Sequence, residues 1–411
     1  MTTPEPLPPH RLETGGRGAG TAAQAPAAGA EGVEVVCLGE SMVTFLPATP
    51  GRLADVPSFD RVIGGAESNV ACLLARAGHR ARWVSRVGTD GFGDHLLEQI
   101  AAHGVDVDHV QRDPRRPTGI YFRTAGERAT GAEGEPRTDA EPAAPEARPQ
   151  DAAPALAEVV YYRAGSAASA MTPDTLDPAA LAGTRVVHVT GITAALSDGC
   201  LAVLRTLARR TEGRPLLSFD VNYRVGLWQA AADRAAEAPT GGESAGPAVL
   251  LELARGCDLV FVGEDEAEAA WGLYGPDAVR EALPEPEQLV VKQGHEGVTV
   301  YRRQPDGGDE VTFVPALKVD VVVPVGAGDA FAAGYLSATL RGLPVRDRVR
   351  HGHLMAAASL TVPGDLGVPP ARAHADALAA LDDQAWGALR LGPGWTEHPV
   401  AVPTPVEVPA P

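Results

Sequence analysis

The sequence is almost without lysine. Of its 35 basic residues only Lys292 and Lys318 are lysines, and neither follows a glycine. The Gly-Lys pair of a Walker phosphate-binding loop is therefore absent, which excludes that class of nucleotide-binding protein. The chain also carries 53 acidic residues and a formal net charge of -18. Because this charge repels nucleic acid and anionic membrane surfaces, we expect no partner of either kind.

Cysteines and long apolar runs are scarce as well. The four cysteines are far apart, and no C-x-x-C spacing indicates zinc or redox chemistry, so we expect buried free thiols. No run of 18 or more apolar residues is present. The N-terminus lacks the basic start and apolar core of a signal peptide. These features predict a cytoplasmic protein.

Three segments are rich in Pro, Gly and Ala and poor in large apolar residues. They span residues 1–32, about 126–157 and 393–411. Such segments cannot bury enough apolar surface to offset the entropy lost on ordering. We therefore predict a disordered N-terminal tail, a disordered insertion in a surface loop and a disordered C-terminal tail. Residues 33–392, with that insertion, would form one folded domain with a large core.

Short apolar strands alternate with helical stretches along this domain. The strands include EVVCLGE, RVVHVTG, PLLSFDVN, DLVFVG and QLVVKQG, and the helices include ESNVACLLARAG and PAVLLELARG. The alternation predicts an α/β fold with a mainly parallel sheet covered by helices on both faces. Ligands of such sheets bind beyond the carboxyl ends of the strands, so we expect functional residues in the loops there.

The stretch VVPVGAGDAFAAGYL reads as a loop that opens a helix. Gly326, Ala327 and Gly328 leave their backbone N–H groups unobstructed, and these groups together with the helix dipole favour an anion such as a phosphoryl group. Asp329 follows in the first helical turn. Taken alone, this position favours a carboxylate that stabilises the helix N-terminus over one that takes part in catalysis.

Three other stretches offer polar groups near turns. VIGGAESNV places Gly65 before a helix and Asn69 in its first turn, which fits either a ligand site or a capping box. SFDVNYRVGLW carries Asp220, Asn222 and Arg224 at alternate positions, so we expect their side chains on one face, which favours a site. VVKQGHEGVTVY is a strand, a Gly-rich turn and a strand, and a plain hairpin explains it equally well.

Two stretches place an arginine beside aromatic residues. TGIYFR holds Tyr121 and Arg123, and VVYYRAGSAASAM holds Tyr162 and Arg163. Arginine makes forked hydrogen bonds to carboxylates, so these pairs favour an organic acid as ligand. An arginine that lies over an aromatic ring at the surface is the alternative.

Taken in order, several motifs resemble the landmarks of the ribokinase-like (PfkB-type) carbohydrate kinases. They are GGAESN, V-G-x-D-x-F-G, D-x-N-x-R, K-x-G-x-x-G and G-A-G-D-A-F, within about residues 33–369. TGIYFR, YYRAGSAAS and DVNYRVGLW look most similar to the 2-dehydro-3-deoxygluconate (KDG) kinases, whose substrate carries a carboxylate. The resemblance implies a Rossmann-like, three-layer ribokinase-type fold. It also implies a small β-sheet lid, formed by segments at about 45–62 and 105–162.

The resemblance also implies an ATP-dependent kinase for the terminal hydroxyl of a sugar acid, with Mg²⁺ as cofactor. Asp329 would be the catalytic base, and the amides of Gly326, Ala327 and Gly328 would stabilise the transferring phosphoryl oxygens. Glu266 would contact Mg²⁺ through water. The matching substrate-binding positions are Gly65, Asn69, Tyr121, Arg123, Arg163 and Arg224. The matching nucleotide-binding positions are Asn222, Arg224, Lys292, Gly294 and Gly297.

Two positions depart from the family pattern. Val323 stands where the family has Asp before GAGD, and Gly263 stands where it has Asn in N-x-x-E. Both departures remove polar groups near the expected metal and phosphate region. They keep a non-catalytic sugar-acid-binding protein open as an alternative. A kinase for a neutral sugar such as fructose or ribose is a separate alternative, against which Arg123 and Arg224 argue, because a neutral ligand would leave a desolvated guanidinium unpaired. The epimer of the sugar acid and the formation of a homo-oligomer also stay open.

Overall fold

The computed structural model describes residues 32–49, 51–124, 158–237 and 246–397. The predicted N-terminal tail, apart from Gly32, and the whole predicted insertion at 126–157 lie outside these residues. The predicted C-terminal tail is described as far as Glu397, and Trp395 is buried against the core. The first residues of the predicted tail, 393–397, thus include a buried aromatic side chain, and residues 398–411 lie outside the described part of the chain.

Strands and helices alternate as the sequence predicts. The strands are β1 Val35–Leu38, β2 Met42–Pro47, β3 Phe59–Gly64, β4 Ala81–Val84, β5 Arg86–Gly88, β6 Gln111–Asp113, β7 Ile120–Arg123, β8 Val159–Tyr162, β9 Val186–Thr190, β10 Leu216–Asp220, β11 Leu259–Gly263, β12 Gln288–Lys292, β13 Gly297–Arg303, β14 Asp309–Pro315, β15 Lys318–Val319 and β16 Arg390–Leu391. The helices are α1 Ala66–Arg76, α2 Gly91–Ala102, α3 Gly191–Leu196, α4 Asp198–Ala208, α5 Val225–Glu237, α6 Pro247–Gly256, α7 Glu264–Trp271, α8 Pro276–Ala282, α9 Ala327–Leu340, α10 Val345–Leu360, α11 Arg372–Ala379 and α12 Asp383–Ala388.

The main sheet has eight strands in the order β14-β13-β12-β11-β10-β9-β1-β4. The pairs from β12 to β4 are parallel, and the hairpin β12-β13-β14 adds two antiparallel strands at one edge. The predicted mainly parallel sheet is thus confirmed. Because parallel strands end at the same edge, the residues that close β9, β10, β11 and β12 lie side by side.

Side-chain alternation along the strands divides the core into two layers. In β1, Val35 and Cys37 belong to one apolar cluster, while Val36 and Leu38 belong to the other. Helices α1, α9 and α10 contribute to the first cluster, and α4 and α6 contribute to the second. A strand buried on both faces must be apolar at every position, which explains runs such as VVCL. Helices therefore cover both faces of the main sheet.

A second, smaller sheet has the strand order β3-β2-β7-β8. Its strands come from residues 42–64 and 120–162, and an aromatic cluster packs within it. Phe122 stacks on Phe45 with ring centroids 4.8 Å apart and meets Phe59 edge-on at 5.2 Å. Its edge strand β8 is exposed, and Tyr162 is 62% exposed. The chain therefore has the large and the small sheet that the resemblance implies.

The state of the cysteines and the length of the helices can be compared with the sequence predictions within the described residues. All four cysteines fall within it and are buried and unpaired, as the sequence predicts. Within the same residues, none of the helices combines the length and the apolar character needed to cross a bilayer.

Candidate active site

The carboxyl edge of the main sheet brings polar side chains together. Asp220 ends β10 and Lys292 ends β12, and the lysine Nζ donates to both carboxylate oxygens of Asp220, at 2.9 and 3.2 Å. Asp220 is buried, so its charge needs this partner. Burial raises the pKa of Glu266, which lies in the first turn of α7. The Lys292 charge opposes this rise in pKa.

The GAGD turn begins α9 directly above this edge. Gly326 is the N-cap residue with φ of 72°, and a Cβ there would lie 2.6 Å from the backbone oxygen of Asp365. Both the left-handed backbone and the close contact require glycine. A Cβ on Gly328 would meet only the Lys292 ammonium, at 3.7 Å. The first amides of α9 and the lysine charge therefore lie in one place.

Asp329 lies in the first turn of α9 and contacts Asn69 of α1, whose Nδ2 donates to its Oδ2 at 3.0 Å. Burial, which has the largest effect, and the nearby Asp220 charge together raise the pKa of Asp329 to about 7. The Asn69 hydrogen bond and the charges of Arg224 and Lys292 oppose that rise in pKa. A carboxyl group with this pKa can both hold and release a proton near neutral pH.

Glu67 fixes the start of α1, a role that the sequence analysis missed. Its Oε1 accepts three hydrogen bonds, from the backbone N–H of Thr190 and from the hydroxyls of Thr190 and Thr193. Glu67 is fully buried, and burial raises its pKa. Because Asn69 is two residues along the same helix, this anchoring also positions Asn69. A glutamate in the first turn of a helix whose following residues are mostly apolar is the signal that could have revealed it.

The prediction for Asp220, Asn222 and Arg224 is only partly right. Strand β10 ends at Asp220, and Asn222 has φ of 39°, so the alternation that would place three side chains on one face stops there. The turn instead lets the Asn222 N–H donate to Asp220 Oδ1 at 3.2 Å. Arg224 still lies close enough to Asp329 to lower its pKa. All three therefore lie at the edge of the sheet, but they are brought there by a turn.

The K-x-G-x-x-G stretch is the hairpin between β12 and β13. Gly294 has φ of 59° at the exposed turn, and a Cβ on Gly297 would lie 2.4 Å from the Val314 oxygen. Both glycines are therefore explained by backbone geometry alone. Only Lys292 of this motif is in contact with Asp220.

Arg123 lies in β7 of the small sheet, and its guanidinium pairs with the carboxylate of Asp365. Both side chains are almost completely buried, at 2% and 6% exposed. The predicted clamp for an organic acid is thus already engaged by an internal carboxylate. The pair joins the small sheet to the loop that packs on Gly326, a contact that separation by 242 residues hid from sequence reasoning.

Arg163 also has an internal acidic neighbour. Its Nη2 lies 2.5 Å from Oε2 of the buried Glu40, and its guanidinium lies 5.7 Å from the centre of the Tyr161 ring. Ser166 donates to the other oxygen of Glu40 at 2.5 Å. The aromatic partner is therefore Tyr161 and not the predicted Tyr162. Glu40, directly after the apolar strand VVCLG, was not considered in the sequence analysis.

Gly65 and Tyr121 complete the group of predicted substrate-binding residues. A Cβ on Gly65 would lie 2.4 Å from the backbone oxygen of Glu40, so no side chain fits there. Tyr121 is buried and stacks on Tyr161 with ring centroids 5.3 Å apart. These contacts place both residues beside the Glu40 and Arg163 pair, where the small sheet meets α1.

The two departures from the family pattern have simple local consequences. Glu266 Oε2 accepts the Gly263 N–H at 2.8 Å, and a Cβ on Gly263 would lie 3.1 Å from that same oxygen. Glycine therefore lets Glu266 fold back as a helix cap. Val323 is half-buried, and its backbone N–H donates a hydrogen bond to the backbone oxygen of Leu360 at 3.4 Å. No group of three potential metal ligands converges among the described residues.

Several buried polar atoms around these residues have no hydrogen-bond partner within the described part of the chain. They include an acceptor beside Asp329, an acceptor in the turn after β10 and donors on the two buried arginines. These atoms are Asn69 Oδ1, Asn222 Oδ1, Arg123 Nε and Arg163 Nε. Leaving such groups unsatisfied costs free energy, so their concentration here fits a site for a polar ligand.

Comparison with known proteins agrees with this arrangement. The chain matches the family model described as pfkB family carbohydrate kinase over residues 33–187 and 157–371. It is 32% identical to the 2-dehydro-3-deoxygluconokinase of Thermoproteus tenax, with 85% of this chain and 95% of that protein covered. It is 33% identical to the enzyme of the same name from Bacillus subtilis (strain 168), with 83% and 93% covered. A probable chloroplastic fructokinase from Arabidopsis thaliana is 30% identical, with 80% and 77% covered.

Solved structures show the same fold. A PfkB protein from Polaromonas sp. JS666 is 30% identical, with a TM-score of 0.63 and coverage of 82% of this chain and 98% of that one. A putative ribokinase II from E. coli, solved in complex with ATP and Mg²⁺, is 21% identical, with a TM-score of 0.63 and coverage of 81% and 94%. The predicted ribokinase-type fold is thus confirmed. With its motifs, its fold and its relatives in agreement, the chain belongs to the pfkB family of carbohydrate kinases and is a sugar kinase that transfers phosphate to an alcohol group.

Proposed function

We propose that this sugar kinase uses ATP to phosphorylate the terminal hydroxyl of 2-dehydro-3-deoxy-D-gluconate. The observation that carries the proposal is the position of Asp329. Its carboxyl group has a pKa of about 7, contacts Asn69 and lies in the first turn of a helix whose N-terminal amides can bind a phosphoryl group. Phosphoryl transfer to a hydroxyl needs a proton acceptor and an anion site side by side, and this turn offers both.

In the reaction, Asp329 accepts the proton of the sugar hydroxyl as that oxygen attacks the terminal phosphorus. A bond from the hydroxyl oxygen to phosphorus forms, and the bond from phosphorus to the bridging oxygen breaks. The Asn69 Nδ2 donor orients the carboxylate, while Asn69 Oδ1, which has no partner among the described residues, can accept a hydrogen bond from the sugar. The amides of Gly326, Ala327 and Gly328 stabilise the charge that develops on the phosphoryl oxygens.

ATP, when bound, supplies the phosphoryl group. The residues present fit a nucleotide: Lys292 offers a positive charge beside the GAGD turn, and Asn222 Oδ1 is a buried acceptor without a partner in the described chain. Arg224, Gly294 and Gly297 are the remaining candidates for contacts with it. The described residues form no three-ligand metal site. Mg²⁺ would therefore be held mainly by phosphates and water, with Glu266 in the outer layer.

The pH dependence of the reaction follows from the raised pKa of Asp329. Only the deprotonated carboxylate can accept the hydroxyl proton, so kcat/KM should fall about tenfold per pH unit below about 7 and level off above it. Initial rates between pH 5 and 9 at constant ionic strength measure this profile. A profile that stays flat down to pH 5 would exclude a proton acceptor with this pKa.

The preference for a sugar acid rests on Arg163. Its Nη2 is paired with Glu40 Oε2 at 2.5 Å, but its Nε is buried and has no hydrogen-bond partner in the described chain. A charge-assisted bond to a substrate carboxylate would satisfy this Nε–H group. The second candidate is a neutral sugar, favoured by the internal pairing of Arg123 with Asp365 and by the fructokinase relative.

A substrate panel with one variant distinguishes these two candidates. We expect kcat/KM for KDG to exceed that for fructose and ribose by at least about tenfold, and Arg163→Gln to remove most of that difference. Arg205→Gln, which alters an exposed arginine paired with Glu252, is the matched control and should behave like the native protein. Preference of the native protein for fructose would assign the substrate to the neutral class, and an Arg163→Gln variant that still prefers KDG would show that Arg163 does not determine the preference.

Several further expectations accompany the proposal. Closure of the small sheet over the site would exclude water, which competes with the sugar as phosphoryl acceptor. We still expect a cytoplasmic location and no nucleic-acid or membrane partner. The formation of a homo-oligomer stays open.

A further inference from the structure

A second polar cavity lies away from the GAGD turn, where the C-terminal ends of α1 and α9 meet the start of α11. Its volume is about 130 Å³, which leaves room for several water molecules. Its charged and polar lining comes from Arg76, Arg341, Arg372, His351 and Ser337, while Pro369, Pro370 and apolar side chains form the rest. None of the described side chains that line it is acidic.

This concentration of positive charge is unusual in a chain with a formal net charge of -18. Two carboxylates lie close by. Asp376 accepts from Arg341 at 2.7 and 2.8 Å and lies 3.2 Å from His351 Nε2, and the charge of Asp347 also acts on His351. Three guanidinium groups therefore still outnumber the carboxylates around the cavity. Burial, followed by the Arg341 charge, lowers the pKa of His351, so the histidine is neutral at pH 7.

Backbone carbonyl groups accept hydrogen bonds from Arg76 and Arg372, but most N–H groups of these two guanidiniums are not used in this way. Arg76 Nη1 donates to the Gly367 oxygen at 2.9 Å, and Arg372 Nη2 donates to the Ala77 oxygen at 3.0 Å. A guanidinium has five N–H donors, so one bond of this kind uses only a small part of its capacity. Burial also lowers the pKa of Arg76, which means that this charge is incompletely solvated. A bound anion would supply what solvent does not.

We propose that this cavity is a second ligand site, which binds a phosphate group, either free or as the monoester of a small metabolite. Arg76, Arg341 and Arg372 would bind the phosphate oxygens, while the Ser337 hydroxyl is already paired with His79 Nε2 at 2.8 Å. The forked donors of three guanidinium groups match the several oxygens of a phosphate better than the two oxygens of a carboxylate. The volume accommodates a phosphate group but not a whole nucleoside triphosphate.

The site has a direct structural connection to the GAGD turn. Arg76 holds the Gly367 backbone, and Asp365, two residues earlier, presents its backbone oxygen to Gly326. Pro369, Pro370 and Arg372 continue the same segment into the cavity wall. Phosphate bound in the cavity would therefore stabilise the segment that supports the start of α9.

Calorimetric titration of the full chain with inorganic phosphate tests the proposal. We expect binding that weakens at least about tenfold in Arg372→Gln, because this exposed arginine contributes charge to the cavity without holding the core. Arg390→Gln, which alters an exposed arginine paired with Asp320 elsewhere, is the control and should bind phosphate like the native protein. This comparison requires no kinase activity, so it can fail while the proposed kinase function stands.

Two further arms identify the ligand and its place. Glycerol 3-phosphate that binds more tightly than inorganic phosphate would indicate an ester, and the reverse order would indicate free phosphate. Crystals soaked in selenate should show anomalous density between Arg76, Arg341 and Arg372. Equal phosphate binding by Arg372→Gln and native protein, binding of acetate as tight as that of phosphate, or selenate found only elsewhere would each overturn the proposal.

Discussion

Replacing Asp329 with asparagine should lower kcat by about 10² to 10⁴-fold, the usual contribution of a positioned general base. The substitution keeps the size of the side chain, and its amide oxygen can still accept the hydrogen bond from Asn69 Nδ2. Binding of the sugar acid should therefore change little. Coupled-assay kinetics give kcat, and calorimetry with KDG gives the dissociation constant.

The Asp329→Asn substitution should also change the stability of the folded protein in a defined direction. A carboxyl group whose folded-state pKa is raised from 3.8 to about 7 costs the folded state stability as pH rises through that range. The variant has no such group, so at pH 8 its melting temperature should equal or exceed that of the native protein. Asp233→Asn, an exposed site outside the cluster, is the control. Full turnover by Asp329→Asn, in a protein that melts normally, would remove Asp329 from its role.

Replacing Arg123 with methionine should lower the free energy of unfolding by about 3 kcal/mol or more, because it leaves the buried Asp365 carboxylate without this partner. We also expect kcat to fall, since the pair connects the small sheet to the loop that contacts Gly326. Urea denaturation measures the first effect, and steady-state kinetics measure the second.

The double variant Arg123→Met with Asp365→Asn separates the ion pair from packing. It removes the uncompensated charge, so much of the lost stability should return. If Arg123 instead binds the substrate carboxylate, as the sequence analysis predicted, Arg123→Met would raise KM for KDG with little loss of stability. That result would contradict the structural role assigned to the pair.

Local sequence patterns predicted the parts of this protein that depend on local physics. Continuous apolar runs such as VVCL identified strands buried on both faces, and glycines followed by a helical pattern located the GAGD turn. Lys292 and Asp220 each follow such a run. Because parallel strands end at one edge, their proximity was within reach of sequence reasoning.

Contacts between distant parts of the chain were out of reach. Asn69 and Asp329 are separated by 260 residues, so no spacing rule links them, and only the resemblance to a known family suggested a shared site. Arg123 and Arg163 were interpreted from the sequence as residues that bind an organic acid. That these partners are Asp365 and Glu40 depends on the packing of the small sheet, which composition does not encode.

The proposed phosphoryl transfer depends most on the proton-accepting role of Asp329. Titration of its side-chain carboxyl carbon by ¹³C NMR, with the signal assigned by its loss in Asp329→Asn, measures the pKa directly. A midpoint of about 7 is predicted, because the buried carboxyl group is held near Asp220 at the edge of the sheet. A midpoint near the ordinary value of 3.8 would show a permanently ionised carboxylate, and Asp329 would then be left with the helix-stabilising role that its local sequence favours.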